Sequence, residues 1–164
     1  MTLARIHPRV AALLALIVSL TVAVTWAKIA RAAPIDAADI RVIDGDTIRV
    51  HHKQPNVRLV GFNAPETRRA ACPAERDLGD KATRRVRELV RAGNLDFEFV
   101  ACSCPPGTQG TPACNYGRDC GTLKAAGRDV GEILIAEGLA VPFKCGATRC
   151  PRTPKPWCPS DHNN

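Results

Sequence analysis

The pattern of apolar and polar positions in this 164-residue chain changes its period along the sequence, which predicts a mixture of strands and helices. Residues 95–99 alternate strictly between apolar and polar, as in a half-buried β-strand. Before them, four apolar side chains share one face of a predicted helix: Leu78, Ala82, Val86 and Leu89. Gly93 is expected to end this helix. A shorter helix is expected over 130–137, with Asp129 as its N-cap.

Short apolar segments predict four further strands, at 40–43, 47–50, 57–62 and 123–126. The turn Asp44-Gly45-Asp46 separates the first two and is typical of a β-hairpin. Five strands and two helices in this order predict a mainly β protein with helices, an α+β fold. The specific expectation is an OB-type barrel of five antiparallel strands with a disulfide-tied C-terminal segment.

The domain organisation follows from changes in composition. Residues 33–39 are expected to be a linker, residues 40–143 an OB-fold domain, and residues 144–164 a tail rich in cysteine and proline. Residues 1–32 have the composition of a signal peptide, because Arg5 and Arg9 precede an apolar run at 10–26 and an A-x-A-like cleavage site at 30–32. An uncleaved signal anchor is the alternative, since a run of 17 residues is short for a membrane-spanning helix.

The cysteines favour export. All eight lie between positions 72 and 158, and an even number in a small exported chain predicts disulfides formed in an oxidising compartment. Their pairing is not assigned. A zinc site is the alternative, although the spacing offers no C-x2-C doublet. We therefore expect a periplasmic or secreted protein that contacts a membrane only if its N-terminal segment is retained.

The net charge changes this picture little. The chain has a formal charge of +7, but residues 1–32 hold four of its basic and none of its acidic residues, which leaves +3 for the remainder. This is a mild preference for a polyanionic partner. One tyrosine and two tryptophans cannot supply an extended surface on which bases stack.

The segment 57–67 is the first candidate for chemistry. Arg58 lies within an apolar strand, where a buried guanidinium requires an anionic partner. Pro65 fixes the turn that ends the strand, and Glu66 follows it. The two residues suit either an anionic substrate with a general base or a structural Arg58–Glu66 ion pair, and this segment alone leaves both open.

Four ordered segments resemble the staphylococcal (micrococcal) nuclease family, the thermonucleases. They are Val-Ile-Asp-Gly-Asp-Thr at 42–47, Val-Arg-Leu-Val-Gly-Phe-Asn-Ala-Pro-Glu-Thr at 57–67, Tyr-Gly-Arg at 116–118 and Gly-Arg-Asp-Val-Gly-Glu at 127–132, which leads to Gly-Leu-Ala at 138–140. The resemblance covers roughly residues 40–143, and four segments in order are more specific than any one of them.

The resemblance implies a calcium-dependent nuclease that hydrolyses phosphodiester bonds in DNA and RNA and leaves 3′-phosphates. Glu66 falls at the position of the general base, and Arg58 and Arg118 fall at the two phosphate-binding arginines. Tyr116 is expected to contact the substrate. The implied calcium site comprises Asp46, Asn63, the backbone carbonyl of Ala64 and, through water, Asp44.

Asn63 departs from the family, which usually has a second calcium-binding aspartate there. Asparagine keeps a carbonyl oxygen but removes a negative charge, so weaker calcium binding is expected. The alternative function is therefore a catalytically weak nuclease-like domain that binds nucleic acid or a protein. A disulfide-rich interaction module without a nucleic-acid role is a third possibility, and in each case we expect a monomer.

Overall fold

The computed structural model describes residues 32–158. The predicted apolar signal segment at 10–26 lies outside this range, as do residues 159–164 of the predicted tail. Between residues 32 and 158, no helix combines the length and the apolar character needed to cross a lipid bilayer.

The described chain forms strands, two α-helices and two short 3-10 helices. The α-helices are α1 (Pro73–Ala92) and α2 (Val130–Ala136), and the 3-10 helices are Ala37–Asp39 and Asn115–Gly117. The strands are β1 (Ala33–Ile35), β2 (Ile40–Val42), β3 (Thr47–Val50), β4 (Val57–Leu59), β5 (Gly61–Asn63), β6 (Leu95–Val100), β7 (Asp119–Ala125), β8 (Arg128–Asp129) and β9 (Val141–Phe143).

The strands form one large curled sheet and one small one. The large sheet has the order β1-β6-β7-β4-β3-β2, with β8 paired to β7, and β5 pairs with β9 separately. The predicted α+β class with two helices is confirmed, and the curled sheet is compatible with an OB-type fold.

The sheet differs in detail from five antiparallel strands, because β4 and β7 are parallel and the predicted strand at 57–62 is divided. Gly61 has a φ of +96°, which glycine adopts readily, and there the chain leaves β4 to pair with β9.

The predicted linker at 33–39 is instead part of the fold. Ala33, Pro34 and Ile35 pair antiparallel with β6, and the Asp36 side chain caps the following 3-10 helix by accepting from the Ala38 backbone N–H. A three-residue edge strand is too short to show a period, so its pairing with β6 could not be read from sequence.

The core lies between the large sheet and the two helices. Its most deeply buried large side chains come from strands and helices alike: Ile48, Leu59, Leu123, Leu134 and Val86. Helix α1 contributes a buried face of Glu75, Gly79, Ala82, Thr83, Val86 and Val90. This face is the predicted one, shifted slightly because Leu78 and Leu89 lie at its edges.

The start of α1 holds the loop that carries Glu66. Glu75 is only 1% exposed, and its carboxylate accepts from the backbone N–H of Ala71 at 2.6 Å and of Glu66 at 3.4 Å. Gly79 lets the loop lie directly on the helix, since a Cβ there would be 2.7 Å from the carbonyl oxygens of Pro65 and Glu66. The backbone on both sides of Glu66 is therefore fixed to α1.

Every cysteine is paired. The disulfides are Cys72–Cys158, Cys102–Cys120, Cys104–Cys114 and Cys145–Cys150. They confirm the predicted disulfides, which are typical of proteins in oxidising extracellular or periplasmic environments, and they leave no thiolate for a zinc site. Two of them close the loop before β7, and Cys72–Cys158 ties the tail to the first turn of α1.

We expect the substitution Glu75→Gln to destabilise the protein and to loosen the Glu66 loop. One of the two backbone N–H groups would then face an amide NH2, and an unsatisfied buried donor costs about 1–3 kcal/mol. Chemical denaturation would measure the lost free energy of unfolding, and hydrogen exchange would report the amides of Glu66 and Ala71. Asp77→Asn, on the exposed side of the same helix, is the control. Equal stability and equal amide protection in the two variants would contradict this role of Glu75.

Candidate active site

Three parts of the fold bring the predicted site residues together. The turn between β2 and β3 carries Asp44 and Asp46, and β4 carries Arg58 opposite Thr47 of β3. On its other side, Arg58 lies opposite Cys120 of β7, which follows directly on the disulfide-tied loop that carries Arg118. The central position of β4 in the sheet thus places both arginines beside the acidic turn.

Asp46 is the most completely bound of the acidic residues. It is 5% exposed and forms an ion pair with Arg58. Its carboxylate also accepts from the Thr47 hydroxyl at 3.1 Å and from the Ala64 backbone N–H at 2.9 Å. It therefore joins the turn, β4 and the start of the Glu66 loop at one point.

Arg58 is held by two further acceptors on β5. Its guanidinium donates to the Asn63 side-chain oxygen at 2.7 Å and to the Phe62 carbonyl at 3.3 Å. The sequence left open an Arg58–Glu66 ion pair, and that alternative is wrong, because the carboxylate partner of Arg58 is Asp46.

Arg118 is positioned by neutral groups. Its guanidinium donates to the Asn115 carbonyl at 3.2 Å, to the Asn115 side-chain oxygen at 2.9 Å and to the Thr47 hydroxyl at 3.3 Å. Among residues 32–158, no carboxylate lies within 4.0 Å of it. Burial lowers the pKa of Arg118, and the positive charge of Arg58 lowers it further. An anion placed between the two guanidinium groups would offset the repulsion between their positive charges.

Glu66 is half-buried at the edge of the same charge cluster. In the described part of the chain its carboxylate has no hydrogen-bond or ion-pair partner, so its oxygens are available. Its negative charge contributes to a raised pKa at Asp44 and opposes the lowering of the Arg118 pKa. Glu66 therefore lies close enough to the acidic turn and to the guanidinium of Arg118 to interact with both electrostatically.

Asp44 is a destabilised carboxylate. Burial and, next, the charge of Asp46 raise its pKa to about 6, even though it accepts a hydrogen bond from the Asp46 backbone N–H at 3.1 Å. A nearby cation would favour its ionised form, because opposite charge lowers the pKa of a carboxyl group.

Asn63 connects the site to the C-terminal tail. Its side-chain oxygen accepts from Arg58, and its NH2 donates to the Pro154 carbonyl at 3.0 Å. A guanidinium can only donate and a carbonyl can only accept, so these partners fix the orientation of the amide. An aspartate could not make the second bond. The asparagine at this position thus accompanies a contact to the C-terminal tail.

The oxygen atoms around this turn are of the kind that calcium prefers. The predicted set of Asp44, Asp46, Asn63 and the Ala64 carbonyl contains hard oxygen donors, and hydrogen bonds link Asp44 to Asp46 and Asp46 to the Ala64 backbone. In residues 32–158, no three His, Cys, Asp or Glu side chains are grouped closely enough to hold a metal by themselves. A calcium ion here would rely on amide, carbonyl and water oxygens as well.

Tyr116 lies next to Arg118, and a cavity lies next to Arg58. Tyr116 is 87% exposed, and its ring centroid lies 5.8 Å from the guanidinium carbon of Arg118. A cavity of about 440 Å³ opens beside Arg58 and is lined mainly by apolar groups, among them Val60, Phe62, Phe143 and the Cys102–Cys120 disulfide.

Several positioning residues were not found from sequence. Thr47 and Asn115 orient Arg118. Thr47 is 71 positions away from Arg118, and no sequence pattern marks a hydrogen bond over that distance, whereas Asn115 lies three residues before it. Glu75 could have been found, because Cys72-Pro73-Ala74-Glu75 has the proline at N1 and the glutamate at N3 that are typical of a helix start. The role of Pro154 could not have been found from sequence, since its carbonyl accepts from Asn63, 91 positions away, only in the folded tail.

The chain is similar to two endonucleases of Bacillus subtilis (strain 168). It is 35% identical to endonuclease YncB over 102 residues, which are 61% of this chain and 44% of that protein. It is 32% identical to SPbeta prophage-derived endonuclease YokF over 108 residues, 65% of this chain and 33% of the relative. The chain spans less than half the length of these curated relatives. No protein-family model matches it. These similarities relate the chain to proteins named as bacterial endonucleases.

Proposed function

We propose that this chain is an exported nuclease that hydrolyses phosphodiester bonds of DNA or RNA with the help of calcium. The observation that carries the proposal is Arg118, a positioned guanidinium without a carboxylate partner in the described chain, next to Arg58 and the acidic turn. The similarity to two proteins named endonucleases supports the same substrate class.

The two arginines suit the anion that such a reaction would bind. A phosphodiester carries one negative charge and gains more as it approaches the transition state. Each planar guanidinium can donate two parallel hydrogen bonds to phosphate oxygens, which a lysine cannot do. Arg118 is free to bind the anion directly, while Arg58 already shares its charge with Asp46. We therefore assign the larger share of phosphate binding to Arg118.

Glu66 is the proposed general base. It would take a proton from a water molecule as the water oxygen attacks phosphorus. The bond from phosphorus to the 5′-oxygen would break, and the departing oxygen would take up a proton from solvent. The products would be a 3′-phosphate and a free 5′-hydroxyl. Its unpartnered carboxylate supports this role, because a base engaged in an ion pair would have to break it first.

Calcium would be held by Asp46, Asn63 and the Ala64 carbonyl, with Asp44 acting through water. Bound there, it supplies positive charge to a non-bridging phosphate oxygen. The cavity beside Arg58 and the exposed ring of Tyr116 would accommodate the sugar and base next to the scissile phosphate. The four disulfides support export to an oxidising compartment.

One observation favours the alternative, a nuclease-like domain that binds nucleic acid without cutting it. The oxygens of Asp46 and Asn63 already accept hydrogen bonds from Arg58, so the donors proposed for calcium are in use. The two functions differ in one measurable respect, which is whether a bound strand is cleaved.

We expect Glu66→Gln to abolish most cutting while it preserves binding. Loss of a general base lowers a rate by about 10²- to 10⁴-fold. The measurement is degradation of plasmid and single-stranded DNA with calcium or with a chelator, beside binding of an oligonucleotide. Glu132→Gln, in the exposed first turn of α2, is the control. Cutting by Glu66→Gln at the wild-type rate would refute the proposed base, and binding without cutting by the wild-type protein would favour the alternative function.

The substitution Asn63→Asp should strengthen calcium binding by roughly tenfold, equivalent to about 1.4 kcal/mol, because it adds a charge to the proposed site. It should also free the tail, since the donor to Pro154 is lost. Isothermal titration with calcium would measure the first effect and hydrogen exchange of the tail the second. Asn94→Asp adds the same charge at the exposed turn between α1 and β6 and serves as the control. If Asn63→Asp and the wild-type protein bind calcium equally, Asn63 does not tune the site.

We expect Asp44→Asn to stabilise the metal-free protein at neutral pH. The folded-state pKa of Asp44 is raised to about 6 from an ordinary value of 3.8, so its ionisation removes stability as the pH rises from about 4 through about 6. Asparagine avoids this loss, and the gain at pH 7 should be on the order of 1–3 kcal/mol. Denaturation with a chelator at several pH values would measure it. The advantage of Asp44→Asn should shrink towards pH 4, and an advantage that does not change with pH would argue against a buried, ionised Asp44.

A further inference from the structure

A second basic surface adjoins the proposed active site. It is a cavity of about 610 Å³, here called the arginine cavity, lined by Ile43, Thr67, Arg68, Arg76, Asp80, Thr83, Arg84 and Arg87. Two of its lining residues are chain neighbours of the site, since Ile43 precedes Asp44 and Thr67 follows Glu66. The cavity beside Arg58 and the arginine cavity share no lining residue, so they are separate cavities.

The arginines of this cavity form one stripe of helix α1. Residues 76, 80, 84 and 87 recur at intervals of three and four, so they share an exposed face. Thr83 of the buried face borders the cavity, and Arg68 joins it from the Glu66 loop. Arg84 and Arg87 are three residues apart, a spacing at which like charges destabilise a helix.

These charges have little compensation from the protein. Asp80 is the one acidic side chain that lines the cavity, and in residues 32–158 none of the four arginines lies within 4.0 Å of a carboxylate. Arg85, on another face of the same helix, shows the contrast, because it pairs with Glu137 at 2.8 Å and with Glu88 at 3.3 Å. The helix thus neutralises an arginine outside the cavity and leaves the cavity positive.

We propose that the arginine cavity is a second phosphate-binding site, which takes the backbone of a nucleic-acid strand that continues past Glu66. This rests on the proposed function, because the strand is the substrate of the neighbouring site. Guanidinium groups are typical contacts to backbone phosphates, and they position a strand without reading its sequence. The cavity would thus favour long strands over short ones.

The test compares Arg84→Gln/Arg87→Gln with a control of equal charge, Lys81→Gln/Arg91→Gln, whose exposed positions on α1 do not line the cavity. Both are made in the full chain that also carries Glu66→Gln, so that strands are not cut. Fluorescence anisotropy with a single-stranded oligonucleotide and with a dithymidine phosphodiester is recorded between about 50 and 200 mM salt.

The cavity variant should bind the oligonucleotide more weakly, and the slope of log K against log salt should fall by about 1.4, since each phosphate contact to a single strand contributes roughly 0.7. Binding of the dinucleotide, which reaches only the active site, should not change. A slope equal to that of the control would overturn the proposal. The proposal would also be overturned if inorganic phosphate bound in the cavity, as measured by competition, while Arg84→Gln/Arg87→Gln left binding of the oligonucleotide unchanged.

Failure of this proposal can be told apart from failure of the proposed function. Cutting of the dinucleotide by the chain with Glu66 intact reports the active site alone. If the dinucleotide is cut while the slope stays at the control value, the enzyme stands and the second site is wrong. If the slope falls while neither substrate is cut, the arginine cavity stands as a nucleic-acid site of a binding domain.

Discussion

The buried ion pair between Asp46 and Arg58 is the interaction on which the site depends. It joins the β2–β3 turn to β4, and the Asp46 carboxylate also holds the backbone of Ala64 at the start of the Glu66 loop. Such pairs contribute little net stability, because desolvation offsets their attraction. The pair instead fixes the turn, β4 and the start of the Glu66 loop relative to one another. The pair also neutralises the charge of Arg58, whereas Arg118 has no carboxylate partner in the described chain.

The site is built so that its charges do not cancel internally. Asp44 ionises reluctantly beside Asp46, Arg118 is buried beside Arg58, and Glu66 has no partner in the described chain. The burial of the Asp44 and Arg118 charges lowers the stability of the protein, and a cation at the acidic turn or an anion at the arginines would favour these charged forms. Residues with perturbed pKa values cluster at functional sites, which agrees with the role proposed for this one.

Features that depend on residues close together in sequence could be predicted, and features that depend on residues far apart in sequence could not. Helix α2 and its Asp129 cap were predictable, because the cap acts on the next three residues. The strand at 57–62 was predicted as one piece, since its apolar pattern does not show that Gly61 turns the chain towards β9. The partner of Arg58 could not be identified for a similar reason: Glu66 is closer in sequence to Arg58 than Asp46 is, but the pairing of β3 with β4 brings Asp46 to it. Disulfides were predicted as a class, while their pairs required the fold.

The Cys72–Cys158 disulfide has a consequence for the maturation of the protein. It fastens the tail that contacts Asn63 to the helix start that carries Glu75, so one side of the site belongs to the last described segment of the chain. That side cannot be fixed covalently until residue 158 has been made and an oxidant has reached both thiols. Under reducing conditions the tail would lack its covalent link to α1, and its described contact with Asn63 would depend on the hydrogen bond to Pro154.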